Sequence, residues 1–555
     1  MKEKRVFAQP KGEKLFNIRP VLFGTIFLAV GILFCFYHAF EGLSAAWLLC
    51  LLPMAAAPAF LSYSKGKLWA AAIAFLFLCL CALVGFFGFT IQVNRYEHTA
   101  AFGEKYFSGR VVEIREGKYS TALVLDDLEI EGKGENCKLI AYLPTSFCED
   151  IRLSDEVFLR GDIEKRAYDT EEFSVFAKDF GKRIFLTSSS PEGYKTGHKF
   201  NLFLFINERI KTVIDSGMDE TPAAVTKAVL LGDTSGIESD LYENIRRGGI
   251  AHIFAVSGLH VGSLFAFCIL LVKKTGLRRA PAWARLALVA FVLVTYAGVC
   301  AFSASVVRAT VISLVAYMGK LLLVKTDFLQ SLGLAAICIL FFTPSALFTV
   351  GFQLSFAACF GIAFLAKPIG QVFDECAKLY RHIFPRKLTR AEMEAIQRED
   401  TLPPRISARI YRAVSGFLAT SLGAQIFTAP LLLGYFGYVS GWAIILNCLF
   451  VPFISAIFSL LLLTVSIACI LPLGLSFIAL YLPNVIWSAV LLVFEAVDFT
   501  SFALEGLTIS AAAAVLYLLS ALFFTDKWNL KKSFRFILGG VCILAFAATM
   551  VALNV

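Results

Sequence analysis

The sequence predicts a polytopic α-helical membrane protein carrying one small all-β, OB-like extracellular domain, and three observations lead there. The 555 residues are 58% hydrophobic and 17% charged, with a mean hydropathy of +0.72, far more apolar than an ordinary soluble domain. Apolar stretches of about 20 residues, the length that crosses a bilayer, recur along the chain. One polar segment of different composition, residues 92–200, interrupts the series.

Residues 1–91 hold a basic tail and three expected crossings, Val21 to Phe40, Leu43 to Leu61 and Leu68 to Phe89. The first is too long, and too poor in a small-residue cleavage site, for a removable signal peptide, so it is expected to stay. Further crossings follow Ile250, for a total of about 11–13.

Orientation comes from the short basic connections. Lys2, Lys4, Arg5, Lys11, Lys14 and Arg19 precede the first crossing, and the loop Ser64 to Lys67 comes two crossings later. Retention of Lys and Arg in the cytoplasm places both inside, so the third crossing delivers residues 92–200 to the outside. The loop with Lys273, Lys274, Arg278, Arg279 and Arg285, a larger one at 367–412, and Lys527 to Arg535 then also fall inside. The chain is expected in the cytoplasmic membrane with a cytoplasmic amino terminus. Its formal charge of +9 is accounted for by these loops and is not by itself a sign of nucleic acid.

Between 92 and 200, patterns such as Val111 to Arg115, Leu123 to Leu125 and Glu156 to Arg160 alternate with Gly-rich and Asp-rich turns, which reads as about five short strands. That number suits an OB-type barrel, although the fold does not fix function. Asp126, Asp127, Glu149, Asp150, Glu171 and Glu172 balance the basic residues here and disfavour a strong grip on phosphates. Local contacts would fall to Lys165, Arg166, Lys182 and Arg183. Cys137 and Cys148 are the cysteines expected on the oxidising side and form a candidate disulfide; no pair among the fourteen cysteines has a CxxC spacing.

Residues 201–555 open with an amphipathic pattern from Phe200 to about Ser216, expected on the outer membrane surface. The helical core follows. Its most informative stretch runs from Lys227 to Asp233 and resumes from Gly249 to Gly262, where Gly258 and Gly262 stand beside Ser257 and His260 in an apolar run. Freed backbone groups in hydrocarbon need partners, so this is a broken or closely packed helix facing protein or water. It either permits tight packing or lines a path. Arg308 is costly among apolar residues unless it meets an acid, water or a phosphate backbone. Asp233 could pair with it or cap a turn near Thr234 and Ser235. Gln353, Gln425 and Asn447 are interhelical glue or path lining.

Catalysis is not expected. Ser257 and His260 stand three apart but lack an acidic orienter or oxyanion loop. Six histidines without a clustered His/Asp set offer no two-metal site, and no GxxxxGKS or GxxxxGKT loop is present to cradle nucleotide phosphates. No metal or other cofactor is predicted.

Leu230 to Asp233 and His252 to Val261 are followed in order by Ser303 to Ala309, Pro344 to Leu347, Val350 to Phe356, Gln425 to Pro430 and Asn447 to Pro452. This succession resembles the ComEC competence-channel family over most of residues 40–470. The resemblance implies passage of one DNA strand across the cytoplasmic membrane during natural transformation. It makes Asp233, His252, Ser257, Gly258, His260, Arg308, Gln353, Gln425 and Asn447 candidates for the DNA path. Many members carry a carboxy-terminal metallo-β-lactamase-like domain, whereas this chain ends in the apolar run Phe536 to Leu553. The implied partners are therefore single-stranded DNA, membrane lipid, a DNA-receptor protein, a separate nuclease and a cytoplasmic ATPase. Two other readings stay open: a secondary transporter of a small anionic solute, and an intramembrane hydrolase built on Ser257 and His260.

Overall fold

Glycines decide how helices α1 (Pro20–Glu41) and α2 (Leu68–Glu97) meet. A Cβ on Gly31 would stand 1.9 Å from the Ala82 carbonyl oxygen, and one on Gly85 would stand 2.1 Å from that of Leu28. The two backbones therefore touch, as small residues allow inside membranes. Gly24 meets Phe77 and Cys81, Gly31 meets Ala82 and Phe86, and Phe36 meets Phe89, so the helices run parallel. That is the relation of a first and a third crossing. Apart from Ser44, the expected second crossing, Leu43 to Leu61, lies outside the described residues. The structure, a computed structural model, describes residues 19–42, 44, 68–100, 102–116, 120–148, 151–168, 173–189, 191–198, 200–254, 256–383, 406–496, 503–505, 509–523, 525 and 532–554.

Helix α2 leads into a small β-barrel of β1 (Gly103–Glu116), β2 (Ser120–Ile130), β3 (Lys138–Pro144), β4 (Asp155–Lys165) and β5 (Ile184–Ser189), with β6 (Glu192–His198) added on β4. The hydrogen-bonded path β1-β2-β3-β5-β4 returns to β1; β3 and β5 pair parallel and the other neighbours antiparallel. Register shifts along β1 bend it enough to serve both ends of this path, the usual effect of a bulge. Alternation fills the interior: Val157 and Leu159 of β4 are buried, while Arg160, the next residue of the strand, is exposed.

Helix α3 (Phe173–Gly181) joins barrel and bundle. Its Phe173 ring lies 5.0 Å from Phe36 and 5.2 Å from Phe348, and Phe180 lies 5.9 Å from Phe89. A continuous aromatic contact thus runs from the barrel into α1, α2 and the turn Pro344–Phe348.

The expected disulfide is not formed. Cys137 and Cys148 are free, buried thiols, because Cys137 precedes β3 and Cys148 ends the short turn Thr145–Cys148 beyond it. A seven-residue strand rising about 3.3 Å per residue holds them roughly 20 Å apart, whereas a disulfide needs Cα atoms within about 7 Å.

After the barrel come α4 (Leu202–Gly217), α5 (Glu220–Leu231), α6 (Ser239–Arg247), α7 (Gly258–Lys274), α8 (Ala282–Val299), α9 (Ala304–Leu321), α10 (Phe328–Phe342), α11 (Val350–Ile383), α12 (Ile406–Phe436), α13 (Ala443–Ile470), α14 (Ser476–Ala496), α15 (Ala511–Phe523) and α16 (Lys532–Asn554). Among the described residues, eight helices are long and apolar enough to cross a membrane, and three shorter apolar ones accompany them. The chain is a mostly helical, multi-pass membrane protein with a small β-barrel. Helix α4 does not lie alone on a surface: Asn207 donates to the Val299 carbonyl, Arg209 to that of Cys469, and Ser216 Oγ lies 2.9 Å from Ser476 Oγ.

Candidate functional site

Three helices begin close together on the barrel side of the bundle. Helix α11 follows the turn that touches Phe173. Ser305 Oγ of α9 lies 3.0 Å from Ser355 Oγ of α11. Gly258 opposes Arg308 and Phe265 opposes Tyr317, so α7 runs alongside α9 in the same direction. The positive ends of three helix dipoles therefore face one region.

Arg308 sits one turn into α9 and is 7% exposed. Its guanidinium donates to Ser355 Oγ, meets Cys359 and lies 5.7 Å from the centre of the Phe356 ring. Ser355 and Cys359 share one face of α11 by their i,i+4 spacing. A Cβ on Gly258 would stand 3.1 Å from Arg308 Nη2, so any side chain there presses on the guanidinium at the start of α7. Among the described residues Arg308 forms no ion pair. Arg19, also buried, is matched by two hydrogen bonds of 3.0 and 2.9 Å to Asp327 Oδ2.

Asp233 is not the partner of Arg308. It pairs with Lys211 of α4 and accepts from Ser235 Oγ at 2.6 Å and Ser235 N–H at 3.2 Å, an ordinary Asx turn.

Ser257 and His260 form a helix cap. Ser257 Oγ accepts from the Leu259 N–H, and His260 Nδ1 accepts from the Ser257 N–H at 3.2 Å. This is a capping box with histidine in the usual place of Glu or Gln. With Nδ1 accepting, the ring proton belongs on Nε2, which is buried without a protein partner. The imidazole is fully buried and stacks on Phe458 at 4.6 Å. Its Nδ1 is thus engaged by the backbone and not by the Ser257 hydroxyl.

His252 keeps an accessible side chain although its neighbours Ile253 and Phe254 are buried, and its ring is hydrogen-bonded to the Gly249 backbone. Gln353 donates to the Leu347 carbonyl and accepts from Tyr435 Oη at 2.9 Å; it ties α11 to α12. Gln425 donates to the Ser440 carbonyl at 2.9 Å. The side-chain oxygens of Gln425 and Asn447 are buried without a protein partner, which leaves them to water. The structure thus brings Gly258 and Arg308 together, pairs Ser257 with His260, and uses Asp233 and Gln353 as local ties.

The four basic residues singled out on the barrel are all engaged. Lys165 donates to the Glu97 carbonyl, Arg166 binds Asp179 at 2.9 Å, Lys182 pairs with Glu113, and Arg183 donates to Asn136 at 2.7 Å. A different set faces outward. Tyr106 of β1, Phe158 of β4 and Tyr194 of β6 form a row with ring centres 5.7 Å apart at each step, and the Arg160 guanidinium lies 5.5 Å from the Tyr106 ring centre. Tyr106 is 49% and Tyr194 61% exposed. The sequence hid this row because it comes from three strands that only the register brings side by side.

A family model described as "Competence protein" matches residues 229–531, more than half of the chain. ComE operon protein 3 of Bacillus subtilis is 25% identical over 374 residues, covering 59% of this chain and 45% of that protein. Uncharacterized protein MG316 of Mycoplasma genitalium is 28% identical over 166 residues, covering 29% of this chain and 42% of that protein. The chain thus matches less than half the length of either curated relative. No solved structure matches it. The family match spans Arg308, Gly258 and every other candidate from Asp233 to Asn447, and the chain belongs to the ComEC family of competence proteins.

Proposed function

We propose that this chain conducts single-stranded DNA through the cytoplasmic membrane during natural transformation. The observation that carries this reading is Arg308: a cation buried among helices, placed at helix N-termini of the same sign, with no ion-pair partner among the described residues. Such a site is costly in a membrane unless an anion visits it. A phosphate backbone supplies anions one after another, and a lone arginine holds each weakly enough to release it.

The family supports the reading, and so does the aromatic row on the barrel, since bases stack on exposed aromatic rings without regard to sequence. The closed five-strand path fits the OB-type barrel often used for oligonucleotides. In this reading the barrel and residues 92–200 lie outside, the amino terminus is cytoplasmic, and the chain carries no reaction of its own. A DNA-receptor protein, a separate nuclease and a cytoplasmic ATPase deliver, prepare and pull the strand.

The test is uptake of labelled transforming DNA in a deletion strain complemented with the wild-type chain, Arg308→Ala or empty vector, with surface-bound duplex scored separately. Internal single strands should vanish without the chain while surface binding persists. Normal internalisation in the deletion strain would reject the proposal.

A further inference from the structure

A groove of about 570 Å³ lies on the bundle surface between α1, α2 and α10, away from Arg308. Its volume is in the roughly 300–1,000 Å³ range of ligand pockets. The walls are aliphatic and aromatic, with Leu80, Phe87 and Phe341 more than half exposed. In a membrane-spanning bundle such walls face acyl chains, and that alone would distinguish no particular lipid.

The barrel end of the groove is polar, and its charge does distinguish one. Gln92 is 8% exposed and lines the groove, and its side-chain oxygen is buried without a protein partner. Arg95, three residues on, also lines the groove. It is exposed, and its guanidinium has no hydrogen bond or ion pair among the described residues. At i,i+3 the two share one face of α2, about 4.5 Å apart along its axis. No carboxylate is among the described lining residues. From Arg95 back to Leu80 the groove follows α2 for about 22 Å, somewhat more than half of a hydrocarbon core of about 30 Å.

We infer that the groove seats one anionic phospholipid of the leaflet on the barrel side, its acyl chain along Leu80 and Phe87, its phosphate on Arg95. The charge on Arg95 selects a net anionic headgroup, which phosphatidylglycerol carries and zwitterionic phosphatidylcholine does not. A basic residue at the membrane surface favours anionic lipid by about 1 kcal/mol. The position matters to the rest of the molecule. Pro344, which lines the groove and lies 3.5 Å from where a Gly88 Cβ would stand, begins the turn on which the barrel helix α3 rests. A lipid there braces the joint between barrel and bundle.

The full-length chain in phosphatidylcholine nanodiscs, doped with phosphatidylglycerol or phosphatidylcholine carrying a diazirine on the acyl chain, tests this by photolabelling and peptide mapping. Phosphatidylglycerol should label α2 and α10 peptides in preference to phosphatidylcholine. Arg95→Ala should cut that labelling roughly fivefold, the factor that corresponds to about 1 kcal/mol, and leave phosphatidylcholine labelling unchanged. Arg95 is exposed, so the variant should fold as the wild type does. Equal labelling by the two lipids, or unchanged phosphatidylglycerol labelling in Arg95→Ala, would mean ordinary boundary lipid and overturn the inference. Neither readout depends on DNA uptake.

Discussion

Arg19 and Arg308 are both buried, yet substitution should affect them in opposite directions. Arg19 meets Asp327, whose side chain is 29% exposed, and removing one member of this part-buried pair leaves the other without its partner at a cost of about 1–3 kcal/mol. Arg308 has hydrogen bonds and a ring contact but no ion pair among the described residues. Replacing it with Gln removes an uncompensated charge, so thermal unfolding of Arg308→Gln should occur at the wild-type temperature or above. DNA uptake should nevertheless fall by about ten- to a hundredfold, the loss of a charge-assisted contact of roughly 1.5–3 kcal/mol. A drop in both would make Arg308 a structural residue and sink the DNA-path assignment. The sequence revealed Arg308 as an anomaly but could not say whether Asp233 neutralised it, because that depends on which helices adjoin. Ser257 and His260 were ambiguous for a related reason: a hydrolase pair and a capping box share the same spacing, and only the direction of the ring nitrogen separates them.

At the scale of elements, the barrel carries its own pH dependence. Burial opposes ionisation of Glu113, but Lys182 and Arg115 outweigh it and bring its pKa from 4.5 down to about 2. Asp179, held by Arg115 and Arg166 against the same burial penalty, is lowered too. A carboxylate whose folded pKa is depressed stabilises fully above its ordinary value, and that contribution is lost as the pH falls toward the folded value. Between about pH 4.5 and 2 the barrel should therefore weaken, with Glu113 contributing about 1–2 kcal/mol after allowance for solvent screening. Hydrogen exchange of β1 and α3 peptides in the full chain should accelerate across that window, and Glu113→Gln should flatten the response. Unchanged exchange in wild type would show that the network contributes nothing. The thiols give a second check. Burial, with Glu135 nearby, pushes Cys137 up to about 12, so at pH 8 an alkylating reagent should modify neither Cys137 nor Cys148 until the chain unfolds. After unfolding, both should react without reductant; protection would restore the disulfide. The alternating strands and long apolar helices were legible because periodicity records burial directly. The fate of the cysteines was not, since ten intervening sequence positions do not reveal that seven of them form an extended strand.

For the whole molecule, the proposed function turns on which side the barrel occupies, because an entering strand would meet the outer side first. Helix α11 begins beside the barrel helix and runs from Val350 to Ile383. Cys376 lies 26 positions along it, about 39 Å, farther than the roughly 30 Å of hydrocarbon. It therefore emerges on the face opposite the barrel, and it is the exposed cysteine among the described residues. The basic residues support the same polarity: Lys273, Lys274, Arg278 and Arg279 close α7 and the turn after it, and α7 starts on the barrel side beside Arg308. Retention of positive charge in the cytoplasm predicts the barrel outside. Glu192 on β6 is exposed, so Glu192→Cys should react with a membrane-impermeant maleimide in intact cells, while Cys376 should react only after permeabilisation. Both reacting from outside would contradict the crossing of α11. Cys376 alone reacting would invert the molecule, placing the aromatic row of the barrel in the cytoplasm, where it could receive an emerging strand but could not capture an entering one.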